Sequence, residues 1–352
     1  MRWRNQLEPQ GLLEGFAAAP PEGFRVIDAL PLPAFEARFD LLTTADDALR
    51  ARLRRLPLFG WWSRALKVRT LFVGTTVSEY APLPRDADAD RLAAGVAELA
   101  ARRAFKLAIL KDLPQDSPLL LDEDNRHARA LADACERRGY VLVEGQALAY
   151  MAIDFDSIDT YLSRLSAGRR KDIRRKLRSR EQLRVRRIPT GLRFSDPATI
   201  DAYFALYEAV YAQSEIHFDK LTLPFFRRAL QDGTSGGIVF EYRRASDDAL
   251  VGWNLCYEQG GRLVDKYIGL SYPAARDLNL YFVSWVVNLE YALERQLTHY
   301  VAGWTDPQVK ASLGARFTFT RHAVYVRNPL LRAVARRFSR HFENDKDWKA
   351  AS

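Results

Sequence analysis

Between residues 25 and 150, short apolar runs alternate with stretches of helical spacing. The apolar runs predict strands at 37–43, 67–73 (KVRTLFV), 105–110 (FKLAIL) and 140–150 (YVLVEGQALAY). The helical spacing predicts helices over 86–103, with an Asp-rich first turn, and over 124–138, closing at Gly139. A helix pattern over 157–180 follows, and then the alternation repeats. A strand fits 183–188, helices 197–213 and 222–231, and strands 238–243, 249–257 and 262–270. A long helix runs 277–295, followed by a strand at 298–302, a helical turn at 306–312, a strand at 315–326 and a basic helix at 329–342. Strand hairpins followed by a helix and a further strand imply α/β layers on mixed sheets rather than a doubly wound parallel sheet. Residues 1–24, rich in Ala, Pro and Gly without a period, read as a loose N-terminal arm. The expected domains are 25–155 and 183–352, joined by a basic linking helix at 156–182, the second ending in the C-terminal basic helix.

The helix at 277–295 is apolar almost all round, which predicts a buried helix. Its longest apolar stretch, Leu278 to Leu293, contains Asn279, Ser284, Asn288 and Glu290 and is shorter than the roughly 20 residues a membrane span needs. Ser284 and Asn288 lie one turn apart on it, as core polar groups or as substrate contacts. With no apolar leader at the start of the chain, a soluble, cytoplasmic protein without a membrane span is expected.

With 352 residues, 48% of them hydrophobic, the chain has length for two domains and apolar content for real cores. Two cysteines, Cys135 and Cys256, exclude a disulfide framework and a cysteine zinc cluster. The five histidines are scattered without metal-ligand spacing, so no metal is expected. The net charge of +9 is uneven: Arg164–Arg193 holds 13 Lys and Arg against 2 acids, and Arg316–Arg340 holds 7 Arg and no acid. Basic patches on an acidic background point to a polyanionic partner; the alternative is a solvated helix face.

Gly233-Thr234-Ser235-Gly236-Gly237 matches G-x-S-x-G, but a nucleophile elbow runs from strand to helix, and here the glycines precede a strand. Neither nucleotide-binding glycine loop is present. Three stretches carry more weight together: Leu165-Ser-Ala-Gly-Arg-Arg-Lys171-Asp-Ile173-Arg-Arg-Lys-Leu, Asp265-Lys266-Tyr267-Ile268-Gly269, and Gly303-Trp304-Thr-Asp306-Pro-Gln-Val-Lys310-Ala-Ser-Leu-Gly314. With the LTLPFF run at 221–226, their order and spacing resemble the Fem-type acyl- and aminoacyltransferases of the GNAT superfamily, across roughly residues 35–330.

That resemblance implies two GNAT-like domains in tandem and transfer of an acyl or aminoacyl group to an amine. It implies an acyl carrier as co-substrate (acyl-CoA, acyl-carrier protein or aminoacyl-tRNA), no tightly bound cofactor, and a small-molecule or peptidoglycan-precursor-like amine acceptor. The glycine loop that cradles CoA pyrophosphate in GNAT folds is replaced here by Ser271-Tyr-Pro-Ala-Ala-Arg276-Asp-Leu-Asn279. A large acidic donor, tRNA or carrier protein, is therefore expected slightly ahead of free CoA. Arg170, Arg174 and Arg178 stack at 3.6 residues per turn, with Lys171 and Arg175 beside them, and are the expected donor contacts together with Arg276.

The chemistry needs a neutral amine. Deprotonating a lysine-like amine of pKa about 10.4 at neutral pH costs roughly 4–5 kcal/mol, and an α-amine near 8 about 1 kcal/mol. His217, backed by Glu215, is the expected base, and Tyr267 the expected proton donor to the leaving group. Lys266, Asn279, Tyr281, Trp304, Asp306 and Lys310 are the expected substrate contacts. Two other readings stay open: a basic nucleic-acid-binding module, and a non-catalytic GNAT-like scaffold.

Overall fold

The structure is a computed structural model that describes residues 2–41, 52, 55, 59, 66–214 and 217–338. The chain forms two compact units. One holds the chain to Gln6, Pro20–Leu148 and the chain from Phe317; the other holds Leu7–Ala19 and Ala149–Arg316.

In the first unit, Ala34–Asp40 pairs antiparallel with Lys67–Val73, which pairs parallel with Leu107–Gln115. The helix Ala89–Arg102 makes the crossover, started by Asp88, whose carboxylate accepts from the Arg91 N–H at 2.8 Å. Leu107–Gln115 then pairs antiparallel with the late strand Arg316–Val326. The core gathers Ala34, Leu71, Val96, Leu110, Leu131 and Ala323.

The second unit repeats this order. Leu250–Gln259 pairs antiparallel with Arg262–Leu270, which pairs parallel with His299–Gly303, and the helix Leu280–Glu294 makes the crossover. Gly237–Arg244 and Leu183–Pro189 extend the sheet beyond Leu250–Gln259. On its other side His299–Gly303 pairs antiparallel with residues 149–152 of the strand Val141–Ala152. Ten of the fifteen residues of Leu280–Glu294 are buried, as the all-round apolar pattern predicts. Among the described residues no helix is long and apolar enough to cross a membrane.

The division differs from the sequence-based one in three places. Residues 10–18 are a helix belonging to the second unit and bury Leu12, Leu13 and Phe16; the flanking prolines and the internal glycines hid that short apolar face. The strand after residue 316 belongs to the first unit, because its ladder partner is Leu107–Gln115 rather than a neighbour in sequence. The linking segment is two helices, Ile158–Ser163 and Ala167–Leu177, and a 3-10 turn, Arg178–Gln182. The C-terminal helix is seen over Pro329–Phe338, and the rest of its expected span lies outside the described residues. The glycine-serine run is a turn, as expected: the Asp232 carboxylate accepts from the Thr234 N–H at 2.8 Å and from the Ser235 hydroxyl.

Candidate active site

The parallel ladder of the second unit runs from Arg262–His299 to Val264–Val301 and stops, although its strands continue to Leu270 and Gly303. Beyond it the two strands form a fork, and polar side chains collect there. The Asp265 carboxylate accepts from the Tyr300 hydroxyl at 2.7 Å, from Asn288 Nδ2 at 3.1 Å and from Asn254 Nδ2 at 3.4 Å. Asn254 Nδ2 also donates to Asn288 Oδ1 at 3.1 Å, and the Tyr242 hydroxyl donates to Asn254 Oδ1 at 2.9 Å. Both asparagines are completely buried, and such groups are tolerated only when hydrogen-bonded.

Lys310 enters the fork from the other strand. Gly303 has φ 78° and turns the chain toward Asp306, itself left-handed at φ 52°, which precedes the short helix Pro307–Ser312. That turn brings Lys310 back under its own start. The side chain is 3% exposed, and Nζ donates to the Gly303 carbonyl at 3.1 Å. The lysine side chain is thus turned into the fold rather than out along the helix surface. A β-carbon on Gly303 would stand 3.9 Å from Lys310 Nζ and 3.9 Å from the Asp265 carbonyl oxygen, so the three groups share one small space. Burial raises the Asp265 pKa, opposed by the Tyr300 hydroxyl and the Lys310 charge. Tyr281 lies in the same field: burial first, then the charges of Asp306 and Asp265, hold its phenol neutral.

The raised Asp265 pKa has a testable sign. The folded chain binds this proton more tightly than the unfolded chain, so the group's contribution is full below about pH 3.9 and falls as pH rises through the folded value. Asp265→Asn should flatten that part of the stability profile, read as urea midpoints across the acid range. An unchanged slope would show that another group carries it.

The remaining expected residues fall in different places. A register shift between Leu255 and Cys256 leaves Lys266 as an extra residue in its strand, a bulge at the fork. Lys266 Nζ pairs at 3.4 Å with Glu8 of the N-terminal segment, side chains 6% and 0% exposed, so its charge is turned into the fold. The Tyr267 ring packs edge-on against Phe225 and Phe226 of the helix Leu223–Gln231, while Asp265 turns to the helix Leu280–Glu294. Gly269 is required by packing, since a β-carbon there would meet the buried Trp253 indole at 2.2 Å.

Trp304 is half-buried and Asp306 exposed. Asn279 is left-handed at φ 50° and donates to Ser179 Oγ at 3.0 Å, which ties the basic segment to the start of the buried helix. Lys176 Nζ stacks 3.6 Å from the centre of Phe282 on that helix. Arg276 is exposed, lies over Tyr272 at 5.1 Å and donates to Gln213 at 2.5 Å. Of the donor contacts, Arg170 donates to the Ser163 carbonyl at 3.2 Å, Arg174 pairs with Asp159 at 3.1 Å and Arg175 with Asp172 at 2.7 Å. Lys171 and Arg178 are exposed, Arg178 standing at the helix end. His217 is exposed with its ring edge-on to Tyr211 at 5.0 Å, and Glu215 lies outside the described residues. The structure thus brings Lys310 and Asp265 together beside Gly303 and leaves His217 at the surface.

Asp265, Asn254 and Tyr300 were absent from the sequence-based set. The signal was a polar residue set among apolar ones: Asn254 in LVGWNLCY and Asp265 after Leu-Val, beside Asn288 already noted in the buried helix. Two clefts on the same unit are lined by other residues. One of about 180 Å³ is bordered by Met151, Arg164 and Gly314, and one of about 410 Å³ by Ile153, Leu293 and Thr298.

In the first unit the matching parallel ladder runs from Thr70–Leu107 to Val73–Leu110, the last residue of its strand. Lys111 then reaches across to the Thr75 carbonyl at 2.8 Å. That fork is laced shut, so the two units are alike in order and unlike in what they leave open.

Residues 167–311 match the family profile described as "Acetyltransferase (GNAT) domain". No match was found among curated protein sequences. Three solved structures share the fold over nearly the whole chain. The C-terminal domain of an Agrobacterium fabrum protein assigned as a lysylphosphatidylglycerol synthetase superposes with TM-score 0.54 at 14% identity, covering 93% of this chain and 90% of that one. L-PGS from Bacillus licheniformis gives 0.51 at 10%, covering 96% and 97%. FemX gives 0.51 at 11%, covering 94% of each chain. The fold is a mixed α/β arrangement of GNAT type.

Proposed function

We propose, from a chain whose residues 167–311 are a GNAT-type transferase domain, that it moves an acyl or aminoacyl group from an activated acidic carrier to an amine at the fork of the second unit. The observation that carries this reading is the buried Lys310 ammonium beside Gly303, where two parallel strands part. A fixed positive charge at that point would stabilise the oxyanion that the transfer generates. The amine nitrogen attacks the carbonyl carbon, a C–N bond forms, and the carbonyl oxygen becomes anionic beside Lys310. Collapse breaks the bond to the carrier's oxygen or sulfur. The leaving group takes a proton and the amine gives one up. The Agrobacterium fabrum protein assigned as a lysylphosphatidylglycerol synthetase, which shares the fold, supports an aminoacyl group among the candidates.

The donor reading rests on what stands between the strand Arg262–Leu270 and the buried helix. That place holds the short helix Ala274–Asp277 and the left-handed Asn279 instead of a glycine cradle. Lys176 and Ser179 of the basic segment dock beside it. A basic surface at the donor end suits tRNA or a carrier protein, with free CoA as the smaller alternative. Incubation with aminoacyl-tRNA, acyl-carrier protein and acyl-CoA pools plus mixed amines, read by mass spectrometry, should yield a new amide. Failure with all three carriers would sink the transferase reading.

His217 is the proposed acceptor of the amine's proton, directly or through water. His217→Ala should lower turnover about tenfold to a hundredfold near neutral pH and less at alkaline pH, where the amine is already neutral. An equal loss at both pH values would make the ring's contact with Tyr211 its whole role.

A further inference from the structure

We propose that the helix Pro329–Phe338 docks the first unit on an anionic lipid surface, with Leu330 and Leu331 entering the hydrocarbon boundary and the neighbouring arginines meeting headgroups. At 3.6 residues per turn, positions 330, 331, 334, 335 and 338 are all apolar and fall within an arc of about 140°, while the arginine positions 332, 336 and 337 occupy the rest. An amphipathic helix on a protein surface ordinarily turns its apolar arc to the core. Among the described side chains, 330–333, the orientation is the reverse. Arg332 is the half-buried residue: its guanidinium lies 4.5 Å over the Tyr325 ring, and Nε donates to the Val326 carbonyl at 2.8 Å. Tyr325 in turn packs on the buried Tyr140 at 5.1 Å, which anchors this orientation. Leu330 is left 77% exposed and Leu331 59% exposed.

The charge around the helix complements an anionic surface. Arg327 at its foot is exposed and its N–H donates to the carbonyl of Lys106, which is also exposed. Asp90 is paired with Arg137 at 3.0 Å and Arg138 at 3.5 Å. From Arg316 to Arg340 the sequence has seven arginines and no acid. A dissolved polyanion such as RNA would pair with the arginines and leave both leucines in water. A bilayer with anionic headgroups takes both, as basic amphipathic helices do. This surface lies on the first unit and does not depend on the transfer reaction.

The test is co-sedimentation of the full chain with phosphatidylcholine vesicles, with and without phosphatidylserine. Binding is expected only with the anionic lipid and should weaken with salt. Leu330→Ser with Leu331→Ser should reduce partitioning at least about tenfold, with an unchanged thermal unfolding curve because both side chains are exposed. Arg327→Glu with Lys106→Glu should also weaken binding and leave the fold intact. If the leucine variant binds vesicles as the parent does, or if the folded parent binds none, the proposal is overturned. It is equally overturned if RNA displaces the chain from vesicles and is itself bound indifferently to the leucines.

Discussion

Lys310→Met is expected to lower the turnover number by about 10²–10³-fold, the loss typical of removing one oxyanion-stabilising group. The argument is geometric. The ammonium is buried, tethered by the Gly303 carbonyl at 3.1 Å, and placed at the point where the strands Arg262–Leu270 and His299–Gly303 part. A charge held there needs no reorganisation when negative charge develops, whereas a charge on a solvated chain would. Methionine keeps most of the volume and removes the charge, so packing is largely preserved. Lys310→Arg should recover only part of the rate, because a planar fork cannot occupy the place of a compact ammonium. The measurement is single-turnover transfer with a saturating donor, alongside urea unfolding. A folded Lys310→Met protein with parental rate would remove the residue from the reaction.

Reversing Arg170, Arg174 and Arg178 to Glu should raise the donor KM by about tenfold to a hundredfold or more and leave the acceptor KM nearly unchanged. Each reversal changes the local charge by two, and the segment docks on the start of the buried helix through Lys176 on Phe282 and Asn279 on Ser179. Arg174 pairs with the exposed Asp159 and Arg170 with a backbone carbonyl, contacts worth at most about 1 kcal/mol, so the fold should survive. The parental KM should rise steeply with salt and the variant's should not. If the triple variant uses small acyl-CoA and the large carriers at parental rates, the stripe serves something other than the donor.

Much of this architecture was legible in periodicity. The strand at 67–73 and the helices at 197–213 and Leu280–Glu294 follow directly from local spacing, because each must bury one face or all faces to form. The Lys310 turn was legible through Gly303 and Gly314 and the polar residues between them. The helix Gln10–Ala18 was not, since Leu12, Leu13 and Phe16 make only a short face among glycines and acquire meaning from the helix Leu223–Gln231 they lie beside.

Local spacing specifies most of the elements, their repeated order, the uneven charge and the candidate turn, because each depends on residues a few positions apart. The tertiary structure alone decided which distant residues meet. It brought Asn254, Asp265, Asn288 and Tyr300 into one hydrogen-bonded cluster, because their elements lie side by side in the second unit. It turned Lys266 inward to Glu8 and buried Lys310, which charge and spacing would have left at the surface. It also sent the strand after residue 316 to the first unit, because that ladder partner lies some 200 residues away in sequence and no local pattern can specify it.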